Sequence, residues 1–199
     1  MGTRQRLTAA HRWRPVGIEI GADLRAEAEH RAARLPVYAR SHRETAANLV
    51  GCLGEVIVEH ALTQFDVPYR AAYETTHDLI VADRYTIEIK TKDRTVPPRA
   101  EYEASLPAYN HDHQQPDFFV FVSLERDRLT DTGFHTGWLV GVADPAIIDE
   151  HRELRRANET DPDNGTTFWT DCWNVRCDVL RPFPYAANYW RRRRFSSNR

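Results

Sequence analysis

The sequence predicts an α/β (α+β) fold with a central mixed sheet flanked by helices, and three observations predict it. Apolar residues recur at helical spacing from Ala46 to Ala61, the period changes to two from Tyr69 onward, and Phe118 to Leu124 form an almost continuous apolar run. Such a run marks a strand buried on both faces in the middle of a sheet. At 199 residues and 23.1 kDa the chain has the length of one compact domain, and it can bury a core without disulfide staples.

The elements follow in order. The residues up to Gly21 read as irregular, with a short apolar stretch from Val16 to Ile20. Ala22 to Leu35 is rich in Ala, Glu and Arg and reads as a helix closed by Pro36. A second helix is capped by Ser41 with Glu44 three residues on, a capping-box pattern, and runs to Gln64 before Pro68. Short strands are then expected at Arg70 to Tyr73, His77 to Val81 and Tyr85 to Thr91, where Tyr85, Ile87 and Ile89 alternate with Thr86, Glu88 and Lys90. Val96 to Gln115 reads as a loop with a helical segment, followed by the buried strand at Phe118. Phe134 to Val142 reads as a strand pair or a bent strand, with Gly133, Gly137 and Gly141 as turn or bulge points. Pro145 to Ala157 is expected as a helix capped by Asp144, and Phe168 to Leu180 as a closing strand.

These readings divide one domain, 1–199, into an N-terminal extension with a helix (1–40), a core (41–124), C-terminal strands and a helix (125–190) and a basic tail (191–199). Hydrophobic residues at 41% and charged residues at 28% are a globular composition rather than a disordered one. No apolar run approaches the roughly 20 residues that cross a bilayer, and the N-terminus is basic without the apolar stretch of a secretory signal. With Cys52, Cys172 and Cys177 as an odd and sparse set, the expected compartment is the cytoplasm, with no membrane contact.

The net charge of −2 excludes a globally basic nucleic-acid coat, but the charge is uneven. Arg4, Arg6, Arg12 and Arg14 precede the first acid at Glu19, and Arg191, Arg192, Arg193, Arg194 and Arg199 crowd the C-terminus, so both ends can meet a polyanion or simply solubilise the chain. Of 27 basic residues, only Lys90 and Lys92 are lysine. A lysine that persists against such a bias hints at a need for a compact ammonium rather than a planar guanidinium fork.

Lys90 belongs to the one constellation that carries chemistry. If the turn after Val81 is the three residues Ala82-Asp83-Arg84, Asp78 lies directly across from Glu88, and Lys90 shares their face. A two-residue turn would put the two carboxylates on opposite faces. Carboxylates brought together repel unless a cation lies between them, and hard oxygen ligands suit Mg²⁺ or Mn²⁺. The plainer alternative is a solvated strand face with a cross-strand ion pair.

An acid on one strand, Glu88-Ile89-Lys90 on its antiparallel neighbour and a preceding helix that bears Glu55 together resemble the PD-(D/E)XK nuclease superfamily. The likeness covers roughly Ser41 to Leu124 and departs at His77, where the family's name has proline. It implies a restriction-endonuclease-like core of order helix, strand, strand, strand, helix, strand, with extra N- and C-terminal elements. It further implies that Asp78, Glu88 and the Ile89 carbonyl hold a divalent metal, that Glu55 assists and that Lys90 serves the attacking water. The implied activity is Mg²⁺-dependent hydrolysis of DNA, as an endonuclease, to 5′-phosphate and 3′-hydroxyl ends, with Mn²⁺ as a substitute ion. DNA is the implied partner, with phosphate contacts from Arg191, Arg192, Arg193, Arg194 and the basic N-terminus. A bacterial or phage source is expected, and a homodimer is what cutting both strands would call for.

Two other classes of function stand beside this one: an inactive nucleic-acid-binding module on the same fold, and a zinc-stabilised interaction domain using His111, Asp112, His113, Cys172 and Cys177. On the helix, Glu59 is a substitute for Glu55 one turn later. His113, Gln114, Tyr102 and Tyr109 are further candidates for phosphate or water contact. Trp169, Trp173 and Trp190 are candidates for stacking on bases or for filling the core.

Overall fold

The computed structural model describes residues 12–35, 44–72, 76–126, 133–161, 165 and 167–194. In chain order the elements are β1 (Val16–Glu19), α1 (Ala22–Ala32), α2 (Glu44–Gln64), β2 (Tyr69–Ala71), β3 (Leu79–Val81), β4 (Tyr85–Arg94) and β5 (Glu103–Pro107). They continue with α3 (Ala108–His113), β6 (Phe118–Arg126), β7 (Phe134–Ala143), α4 (Pro145–His151), β8 (Glu153–Arg155), β9 (Cys172–Arg176), a 3₁₀ turn (Cys177–Val179) and α5 (Phe183–Arg194). The expected Ser41 cap and Tyr73 lie outside the described residues.

Six strands form one mixed sheet in the order β1-β7-β6-β4-β3-β2. Among the described residues only the β4 and β6 pair is parallel, and the chain between them passes through β5 and α3, as a parallel connection requires. β6 lies inside the sheet with its first seven residues buried, which bears out the reading of its apolar run. Its alternate side chains enter different cores. Val120, Val122 and Leu124 join Leu53 and Ile57 of α2 and Phe183 and Trp190 of α5, whereas Phe119 and Phe121 pack with Leu106 of β5, Ile148 of α4 and Val175 of β9. The sheet therefore carries α1, α2 and α5 on one face. On the other it carries α4 and a second, three-stranded sheet of order β5-β9-β8.

Helix α2 approaches the sheet through glycine. A β-carbon on Gly54 would collide with Thr91 of β4, and one on Gly137 of β7 would collide with Ile57 of α2. Gly51, by contrast, has open space around it. Gly54 alone is thus the small residue that lets the helix lie against β4.

Five expectations are corrected. The stretch 96–115 contains strand β5, whose partner β9 is distant in sequence and so leaves no local signal. The helix from Pro145 stops at His151, because Glu153–Arg155 turns extended to pair with β9. The closing strand is confined to Cys172–Arg176 and belongs to the second sheet. Residues 191–194 of the expected tail are the end of helix α5, in which Trp190 is fully buried, and 195–199 lie outside the described residues. The opening stretch also forms a strand, β1, paired with β7. The bent-strand reading of 134–142 holds: β7 is one strand, with a bulge where Phe121 faces Gly141 but Val122 faces Leu139.

Candidate functional site

Strands β3 and β4 pair with Leu79 opposite Ile87, Ile80 opposite Thr86 and Val81 opposite Tyr85, so the turn is the three residues Ala82-Asp83-Arg84. Ala82 and Asp83 both adopt positive φ, at 53° and 52°, which turns the chain within that short span. This register sends Leu79, Ile87 and Ile89 into the core beneath α2 and leaves Asp78, Glu88 and Lys90 on the opposite face.

Asp78 sits just before β3. Its backbone N–H continues the ladder by donating to the Ile87 carbonyl at 2.9 Å, and its carboxylate Oδ2 accepts from the Ile89 N–H at 2.6 Å. The side chain thus stands in for a main-chain acceptor at the end of the ladder and is held in place by it. Glu88 is only 5% exposed. Its Oε1 accepts from Lys90 Nζ at 2.7 Å, and its Oε2 is buried with no hydrogen-bond partner. Lys90 Nζ also donates to Gln114 Oε1, at 3.0 Å, just beyond α3. The ammonium is therefore clamped between a carboxylate and an amide.

The electrostatics record crowding. Burial first, and the Asp78 charge second, push both Glu88 and Glu55 up to about 7. Burial also raises Asp78, while its hydrogen bond from Ile89 and the nearby Lys90 charge pull it down. Glu55, from α2, makes no hydrogen bond to Asp78 or Glu88 among the described residues, but the charges of both raise it. Glu59 is committed elsewhere: both its oxygens accept from Arg31 of α1, at 2.6 and 2.9 Å. The choice between the two glutamates of α2 therefore falls to Glu55.

Among the described residues, no three His, Cys, Asp or Glu side chains converge tightly enough to form a ready metal-binding group. The zinc assembly has no support in the described residues; the side chains of His111, Asp112 and His113 lie outside them. A hard divalent cation nevertheless fits the pair on the strands. Glu88 Oε2 is a buried acceptor lacking a donor, and the three mutually repelling carboxylates gain from any positive charge placed among them.

Of the other candidates, Gln114 reaches Lys90, Tyr102 lies beneath the guanidinium groups of Arg94 and Arg99 at 5.0 and 5.8 Å, and Tyr109 is exposed. Trp190 fills the core, Trp173 sits under Arg152 at 4.3 Å, and Trp169 is 67% exposed. Arg191 and Arg192 are exposed at the end of α5, and Arg193 lies over Tyr189. The residues that sequence reasoning missed are Arg94, Ser105 and Ser123, which continue the polar face beyond Lys90. The signal was the unbroken alternation of Glu88, Lys90, Lys92 and Arg94. No helix among the described residues is long and apolar enough to cross a membrane. No known protein-family model and no curated protein matches this chain.

Proposed function

We propose that the protein is a Mg²⁺-dependent DNA nuclease of the PD-(D/E)XK type, with a restriction-endonuclease-like core. The observation that carries this reading is the registered triad of Asp78, Glu88 and Lys90 on one strand face, with Glu88 Oε2 buried and lacking a donor. The succession α2, β2, β3, β4, β5, α3 and β6, with β6 parallel to β4, supports it, β5 being an added strand that joins the second sheet.

In this reading Asp78, Glu88 and the Ile89 carbonyl would hold the ion, and Glu55 would add negative charge from α2. The bound cation would supply Lewis-acid stabilisation of charge on the phosphate and lower the pKa of an adjacent water. Lys90, held by Glu88 and Gln114, presents its ammonium to the attacking water or the phosphate oxygens and stabilises charge that builds there. Water oxygen bonds to phosphorus, the bond to the 3′-oxygen breaks and that oxygen takes a proton, which leaves a 5′-phosphate and a 3′-hydroxyl. Arg191 to Arg194 and the basic N-terminus contact DNA phosphates, and a homodimer would present two sites to two strands.

The test is cleavage of supercoiled plasmid and of single-stranded circular DNA with Mg²⁺, Mn²⁺ or EDTA, comparing wild type with Lys90→Ala and Asp78→Ala. Metal-dependent cutting that disappears in both variants is expected. Equal cutting by all three proteins refutes the site, and salt-sensitive DNA binding without any cutting replaces the enzyme with a binding module.

A further inference from the structure

Beyond Lys90 the same face of β4 carries Lys92 and Arg94, which line a cleft between the two sheets together with Ser105 of β5, Ser123 of β6 and Glu103. Two cations in so confined a place call for counter-charge, yet the carboxylate at hand is spoken for. Glu103 accepts from Arg155 at 3.0 Å through one oxygen and from Asn174 at 2.6 Å through the other. Lys92 Nζ instead donates to the Ser105 hydroxyl at 3.2 Å. Arg94 Nε donates to the Ser123 hydroxyl at 3.2 Å and its Nη2 to the Glu103 main-chain carbonyl at 2.6 Å. Neither cation forms an ion pair among the described residues. Burial first, and the Arg94 charge second, hold Lys92 below the usual lysine range, against the smaller opposing pull of Glu103, Cys172 and Asp161. Both side chains keep partial exposure; the space between them is about 10 Å³, that of one water, so an anion enters by displacing the contact between Lys92 and Ser105.

We propose that the cleft between β4 and β5 binds a phosphate group, with Lys92 and Arg94 as its cationic ligands and the Ser105 and Ser123 hydroxyls as neutral donors. An ammonium, a guanidinium and two rotatable hydroxyls supply donors from several directions, which suits a tetrahedral dianion better than a planar carboxylate. An anion here also removes the repulsion between the two cations. This inference does not use the carboxylate site and goes beyond it. The phosphate is either free in solution or the terminal phosphate of a nucleic acid strand, and one chemistry serves both.

The test is calorimetric titration of the full chain with inorganic phosphate in EDTA, at an ionic strength held constant with sodium chloride. Saturable binding is expected in the wild type, weakened at least tenfold by Lys92→Met or Arg94→Leu and a few-fold by Ser105→Ala. Absence of saturable binding in the wild type, or wild-type affinity in Lys92→Met, overturns the proposal. Should Lys92→Met fail to fold, Ser105→Ala decides, because it removes only a hydroxyl: unchanged affinity overturns the site. Competition by an oligonucleotide with a 5′-phosphate but not by its 5′-hydroxyl counterpart assigns the site to strand ends; competition by neither assigns it to free phosphate. Because EDTA removes the metal, the outcome is separate from that of the cleavage assay. A failed titration leaves the nuclease reading standing, and failed cleavage leaves the phosphate site standing.

Discussion

Replacing Asp78 by Asn should stabilise the metal-free protein above pH 7 while changing it little near pH 5. Asparagine keeps an oxygen to accept the Ile89 N–H and removes the charge that acts on Glu55 and Glu88. Both glutamates have folded-state values raised from 4.5 to about 7. For a raised carboxyl, the associated stability is present below about pH 4.5 and is lost as pH rises through about 7. A displacement of that size is worth at most about 3 kcal/mol for each group. Burial is the larger cause and the Asp78 charge the second, so roughly 1 kcal/mol of each belongs to Asp78. The variant should therefore gain about 2 kcal/mol at pH 8.5, or roughly 4–8 °C in Tm for a chain of this length. The assay is thermal unfolding in EDTA at pH 5 and pH 8.5, repeated with Mg²⁺. In the wild type Mg²⁺ should raise Tm at pH 8.5 and do little at pH 5; in Asp78→Asn most of that response should vanish. A variant destabilised equally at both pH values, or one that responds to Mg²⁺ as the wild type does, refutes the reasoning.

The two glutamates of α2 should separate by experiment. Glu59→Ala removes one of the two carboxylate partners of the partly exposed Arg31 and should cost about 1 kcal/mol or less with cleavage unchanged; Glu55→Gln should reduce cleavage without lowering Tm, and the reverse pattern would exchange their roles. Gly54→Ala should destabilise the protein by about 1–3 kcal/mol, because its methyl group meets Thr91 rather than open space. Gly51→Ala, a neighbour with room around it, should be neutral or slightly stabilising through helix propensity, and denaturant unfolding of the pair measures the contrast.

Asp78, Glu88 and Lys90 were legible because strand geometry is discrete. Once the turn holds three residues, the pairing of Asp78 with Glu88 and the shared face of Lys90 follow by parity. Helix α2 was legible because its apolar face repeats over many turns. The second sheet was not, because β5, β8 and β9 are short and find their partners far along the chain: Leu106 pairs with Trp173, and Leu154 pairs with the same residue from its other side. Helix α5 was hidden by its composition, since Pro182 and Pro184 at its start and four arginines at its end read as punctuation and tail. Only packing, with Trp190 against Phe118 and Phe183 against Trp190, shows that its inner face is core. In the candidate site, the clamp on Lys90 by Gln114 joined residues on separate elements, which no spacing rule links.

The position of α5 also bears on how the molecule is made. Trp190 lies among side chains from α2, β4 and β6, and Val16 of β1 waits for Leu139 of β7. A chain leaving the ribosome therefore leaves uncovered the part of this core that α5 fills until that helix emerges, and contacts so distant in sequence form slowly. Expression at lower temperature, or with holding chaperones that shield apolar strands, should raise the yield of native protein. Truncation before Phe183 should send the chain into aggregates rather than leave a smaller working unit.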